Sequence, residues 1–129
     1  MQSPTDASAL SKVEDYLEIV VSSEPSIFSA AVMTADGLPL VVLMGKEETE
    51  KLQLAAAIAS LGSLSEQTAM QLGIGKHMDL MMRCRKGHLF IRRVGTANVL
   101  AIITDKSTPL GVISLIIDSV AKRVQRLLR

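Results

Sequence analysis

The chain has 129 residues and a formal net charge of +1, which fits one domain spanning residues 1–129 and large enough to bury a real core. Aromatic residues are only 2% of it against 48% apolar residues, so the core falls to Leu, Ile, Val, Met and Ala, and stacking platforms for bases or sugars are scarce. One cysteine, Cys84, excludes an internal disulfide and a Cys-based zinc site and suits a reducing compartment. The opening MQSPTDASAL has neither a basic nor an apolar stretch, and no run approaches the ~18 apolar residues of a membrane span. The expectation is a cytoplasmic protein without membrane insertion.

In chain order, Leu10, Val13, Leu17, Val20 and Val21 recur at the three- and four-residue spacing of an amphipathic helix. Ser8 is its expected N-cap, and it should stop before Pro25. SIFSAAVMTADGLPLVVLMG reads as two strands around the Asp36-Gly37 turn, with Pro39 placing the second strand at a sheet edge. A long helix runs over 47–72 and ends at Gly73 and Gly75. Three strands follow in HMDLMMRCR, HLFIRRV and NVLAIITD, forming a meander with turns at Lys86-Gly87 and at Gly95-Thr96-Ala97. A last helix has Thr108 as N-cap and Pro109 at its first position, and Lys122, Arg123, Arg126 and Arg129 fill its final turns.

Charge is segregated along the chain. Residues 1–70 carry ten acids and three bases, and residues 71–129 carry three acids and eleven bases. Such polarity suits self-association, an acidic partner or a nucleic acid.

The long helix carries two apolar stripes. At about 100° per residue, Leu52, Ala55, Ala56, Ala59, Ser63 and Met70 fall on one side. Leu54, Ile58, Leu61 and Leu72, with Ser65 and Ala69 nearby, fall nearly opposite. A polar seam of Gln53, Ser60, Gln67 and Gln71 lies between them. A helix with two apolar faces needs cover on two sides, which points to a homodimer centred on this helix unless its own domain wraps it. The seam is the candidate partner-binding surface.

No catalytic constellation emerges. His77 and His88 lack ligand-spaced companions and read as surface strand residues, so no metal is expected. Strand alternation puts Cys84 on the face of Met78, Leu80, Met82, Leu89 and Ile91, as a core thiol. The glycines of LGIGKHMDL stand between a helix and a strand, the wrong order for a phosphate loop, so no nucleotide or other cofactor is expected. The opposite strand face gathers Arg83, Arg85, His88, Phe90 and Arg92, a basic face with one aromatic. That is thin support for RNA, and a solvated face or one covered by an acidic helix accounts for it better.

FSAAVMTADGLPLV, the small-residue helix ending in QLGIGKHMDLMMR, and VLAIITDKSTPLGVISLII together resemble the roadblock family of dynein light chains, Ragulator scaffold subunits and MglB-type GTPase regulators. The resemblance runs from about Ile27 to near the end of the chain. It implies an α+β fold of three α/β/α layers, in the order α-β-β-α-β-β-β-α, with an antiparallel five-stranded sheet ordered 2-1-5-4-3. It also implies a homodimer in which the third strands, over about 77–85, pair edge to edge and the long helices pack antiparallel. On that basis the interface would draw on Leu54, Ala55, Ile58, Ala59, Leu61, Gly62, Ser65, Met78, Leu80 and Met82. The implied function is a non-enzymatic regulator or scaffold of a small Ras-like GTPase, and in the MglB type an accelerator of hydrolysis. A purely structural adaptor of dynein light chain type, or a basic module for RNA or an acidic partner using Arg83, Arg85, Arg92 and Arg93, are the alternatives.

Overall fold

The computed structural model describes residues 7–43, 48–76 and 79–129. Helix α1 (Ala7–Ser23) is followed by β1 (Ile27–Thr34), β2 (Pro39–Val42), α2 (Glu48–Leu72), β3 (Asp79–Arg83), β4 (Gly87–Val94), β5 (Asn98–Asp105) and α3 (Leu110–Leu127). The five strands form one sheet in the order β2-β1-β5-β4-β3, antiparallel throughout. Element order and topology are those the roadblock resemblance implies.

Helices α1 and α3 close one face of the sheet. Val13 and Leu17 of α1 and Ile113, Ile117, Val120 and Val124 of α3 pack on Val32, Phe90, Leu100 and Ile102. Helix α2 closes the other, with Ala55 and Ile58 against Ala31, Met33, Ile91, Val99 and Ala101. The alternation of β1, β4 and β5 feeds both layers, as a doubly covered sheet requires.

Local chemistry sets the boundaries. Pro39 opens β2 at the sheet edge, opposite Met33, where the β1–β2 register shifts between Val32 and Met33. Gly37 has φ +98°, and a Cβ there would lie 3.2 Å from the Ala59 Cβ. The β1–β2 turn therefore presses directly on α2, one reason that stripe of the helix is made of small residues. Helix α2 ends in a Schellman motif: Gly73 (φ +68°) donates to the Met70 carbonyl at 3.1 Å and Ile74 to that of Ala69 at 3.2 Å.

Several sequence expectations shift. Helix α1 begins at Ala7, so Ser8 lies in its first turn and is not the N-cap. The cap position of α3 is Pro109, not Thr108, and no side chain caps it. Asp105 instead organises the approach to α3, accepting hydrogen bonds from the Ser107 N–H at 2.8 Å and the Ser107 hydroxyl at 2.9 Å. Those bonds hold its carboxyl below the ordinary carboxylate range. The β3–β4 turn falls at Arg85-Lys86, one residue early, with Gly87 already in β4.

His88 is buried, contrary to its reading as a surface residue. Its Nδ1 accepts from the Cys84 N–H at 3.4 Å, so Nε2 carries the proton and donates to the Lys106 carbonyl at 3.1 Å. The ring ties the hairpin turn to the β5–α3 loop, and both nitrogens are occupied. His77 lies outside the described residues.

Candidate functional site

A five-stranded sheet is about 19 Å across between its outer strands at ~4.8 Å spacing, whereas one helix with side chains covers ~10–12 Å. Two helices suffice for one face, and a single helix leaves the other face incomplete. The core partners of α2 lie on β1, β4 and β5, with Val42 of β2 and Leu80 of β3 at its margins, and of the two outer strands β3 is the less covered. That strand is also the sheet edge, with one hydrogen-bonded neighbour, β4. Of its residues only Leu80 is half-buried, and Met81 and Met82 remain 42% and 39% exposed.

Beside this edge α2 presents a rim of Leu54, Leu61 and Ser65, half-buried, and Leu64 and Leu72, which are 59% and 66% exposed. Two grooves open between rim and strand. One of about 460 Å³ is lined chiefly by Leu54, Ala57, Ile58, Leu61, Met82 and Leu89. The other, about 490 Å³, is lined by Leu64, Thr68, Leu72, Ile74 and Leu80 among others. Apolar rim, apolar grooves and a free strand edge together form a surface suited to another protein chain.

The two stripes on α2 are each partly covered by their own sheet, and Leu52, Ala56, Ser63 and Met70 of the first and Leu72 of the second stay exposed. Ala55 comes from one and Ile58 and Ala69 from the other, yet all three are buried, so the stripes meet over the sheet and flank a single buried line. Of the expected interface residues, Ala55 and Ile58 are thus core residues of their own chain. Ala59 supports the β1–β2 turn. Gly62 overlies a cavity of about 110 Å³ between α2 and the sheet. Leu54, Leu61, Ser65 and Leu80 lie at the rim and Met82 on the open edge, while Met78 lies outside the described residues. Gln53, Ser60, Gln67 and Gln71 are all exposed on the side of α2 turned away from the sheet.

Leu64, Ala57 and Met81 are exposed beside this edge although neither helical nor strand periodicity marks them as interface residues. Leu64 is an exposed leucine on the same side of α2 as the seam, a signal that was there to find. Nothing in strand alternation marks Met81, because its exposure follows from β3 being an edge.

The basic face is divided. Phe90 is buried beneath the α1/α3 layer, so it offers no stacking platform. Arg92 bonds Asp79 of β3 at 2.8 Å and also Asp118 of α3. Burial opposes its charge, but the hydrogen bonds to Asp118 and Asp79 outweigh that and raise its pKa above the ordinary guanidinium value. Arg93, pointing the other way, bonds Glu66 of α2. Neighbouring arginines of β4 thereby clamp one helical layer each. Arg83 and Arg85 remain exposed, and so does Cys84, which shares the groove with Met82 and is not the core thiol expected of it. Its strand face was right, but at the sheet edge nothing lies over it.

Among the described residues no cluster of His, Cys, Asp or Glu could hold a metal ion, and no helix is long and apolar enough to cross a membrane.

Residues 20–104 match the Roadblock/LC7 domain. A Roadblock/LC7 domain from Streptomyces avermitilis superposes with a TM-score of 0.76 at 22% identity, covering 91% of this chain and 95% of that one. Myxococcus xanthus MglB superposes at 0.79 with 17% identity, covering 90% and 94%. An MglB structure with a tetrameric arrangement superposes at 0.78 with 19% identity, covering 93% and 90%. No curated protein matches in sequence. The sequence match, the element order and the 2-1-5-4-3 sheet agree, and the chain belongs to the Roadblock/LC7 family.

Proposed function

We propose that this roadblock domain is a homodimeric, non-enzymatic regulator or scaffold of a small Ras-like GTPase in the cytoplasm. The observation that carries the reading is the uncovered edge: β3 lacks a second neighbour and lies beside the apolar rim of α2. A second copy meeting it about a two-fold axis would continue the sheet through paired β3 strands and bring Leu61, Leu64 and Met82 of both copies together. The tetrameric arrangement of the similar MglB structure supports self-association of this chain. In such a dimer the seam of Gln53, Ser60, Gln67 and Gln71 stays exposed and offers hydrogen-bonding groups to a GTPase.

The test is GTP turnover by a co-purifying or genomically adjacent small GTPase, with and without this protein. A regulator changes the rate, a scaffold binds without changing it, and absence of binding in both nucleotide states contradicts the GTPase reading. An activator of hydrolysis works either by inserting an arginine or by repositioning the GTPase's own groups, and no arginine is assigned here as a finger.

A further inference from the structure

We propose that the tip of the β3–β4 hairpin docks on the acidic outer face of α1 of a second copy, joining copies head to tail. Arg83, Arg85 and Lys86 occupy three of four consecutive positions at the tip, and all are exposed. The His88 bond to the Lys106 carbonyl draws the β5–α3 loop to the same end, adding a fourth exposed cation. None of the four forms an ion pair among the described residues, in contrast to Arg92 and Arg93. Asp105, the carboxylate beside Lys106, is already engaged by Ser107.

The complement is on α1. Glu14, Asp15 and Glu18 are exposed, form no ion pair among the described residues, and fall within about 100° of one helix face. The tip cannot reach this face within one chain. Helix α1 packs beside β1 and β2 at one sheet edge, and the β3–β4 hairpin forms the opposite edge. The match is therefore intermolecular, and because tip and α1 lie at opposite sheet edges, a head-to-tail contact leaves one of each free at the ends and extends into a ring or an open chain. A net charge of only +1 leaves little overall repulsion to oppose it. Among anionic partners a second copy fits better than single-stranded RNA, because Phe90 is buried and the tip carries no exposed aromatic.

Light scattering of the full chain at ~20 mM and ~300 mM salt tests this, since screening at the higher value weakens exposed ion pairs. The expected result is a mean mass that rises with protein concentration at low salt and falls to a fixed value at high salt. The triple reversal Arg85→Glu/Lys86→Glu/Lys106→Glu, which leaves β3 itself unchanged, loses the rise, and so does Glu14→Lys/Asp15→Lys/Glu18→Lys. Mixing the two variants restores it, because an acidic tip then meets a basic α1. Neutral Gln replacements at the tip give the same loss if the reversals fold poorly. A salt-independent mass, or variants that associate like the parent, overturns the proposal. Binding to phosphatidylserine vesicles without self-association also overturns it and assigns the tip to lipid. The high-salt mass reports the β3-edge dimer separately, so failure of that contact and of this one are distinguishable.

Discussion

On one face of the sheet, α1 and α3 bury Val13, Leu17, Ile113, Ile117, Val120 and Val124; on the other, α2 buries Ala55 and Ile58 against Ala31, Ala101 and a few larger residues. The same five strands thus carry a thick layer on one side and a thin one on the other. The thick side is the folding core. The thin side is short of cover at β3, and the apolar area left over there is what a partner chain would bury.

This contrast can be broken first at the thick layer. Leu17→Ala removes a fully buried side chain and should cost ~2–5 kcal/mol, read from the urea midpoint. Ile58→Ala, on the thin side next to open grooves, should fall near the lower end, about 2 kcal/mol. Equal losses would mean the two layers are not unequal in the way described.

A smaller effect of opposite sign is expected at Gly62. A Cβ there meets nothing within 4 Å, so Gly62→Ala should raise stability by about 0.5–1 kcal/mol through helix propensity alone. A lowered midpoint would show that the space beneath α2 is needed as it is.

The smallest effect lies at the entrance to α3. Because the Ser107 bonds depress the folded-state pKa of Asp105, its contribution is present above the ordinary carboxylate pKa and lost as pH falls through the folded value. Asp105→Asn should flatten the melting temperature between pH 4 and 2 slightly relative to the parent. An identical slope in both proteins would contradict the role given to this turn.

Element order was legible because its signals are local. Asp36-Gly37 and Pro39 mark a turn and an edge strand, and the spacing of Ile113, Ile117, Val120 and Val124 marks one helix face. The sheet order came with the family resemblance and not from any local pattern. What stayed hidden depends on which strand is last. Cys84 and Met82 share the face of Leu89 and Ile91, and alternation treats all four alike, yet only the β4 pair has strands on both sides. His88 was misread for the converse reason, since its burial comes from the Lys106 loop eighteen residues away. On α2 the helical wheel separated the polar seam correctly but could not say that the two apolar stripes share one sheet.

Whether the thin side meets a second copy can be read at Met82. Met82 is exposed on the edge strand, so Met82→Arg should leave the fold and its urea midpoint intact while placing an unpaired charge in the contact. Light scattering at ~300 mM salt, where exposed ion pairs are screened, should give twice the 13.9 kDa chain mass for the parent and a single chain mass for the variant. A parent of single mass, or a variant that remains a dimer, would contradict the contact.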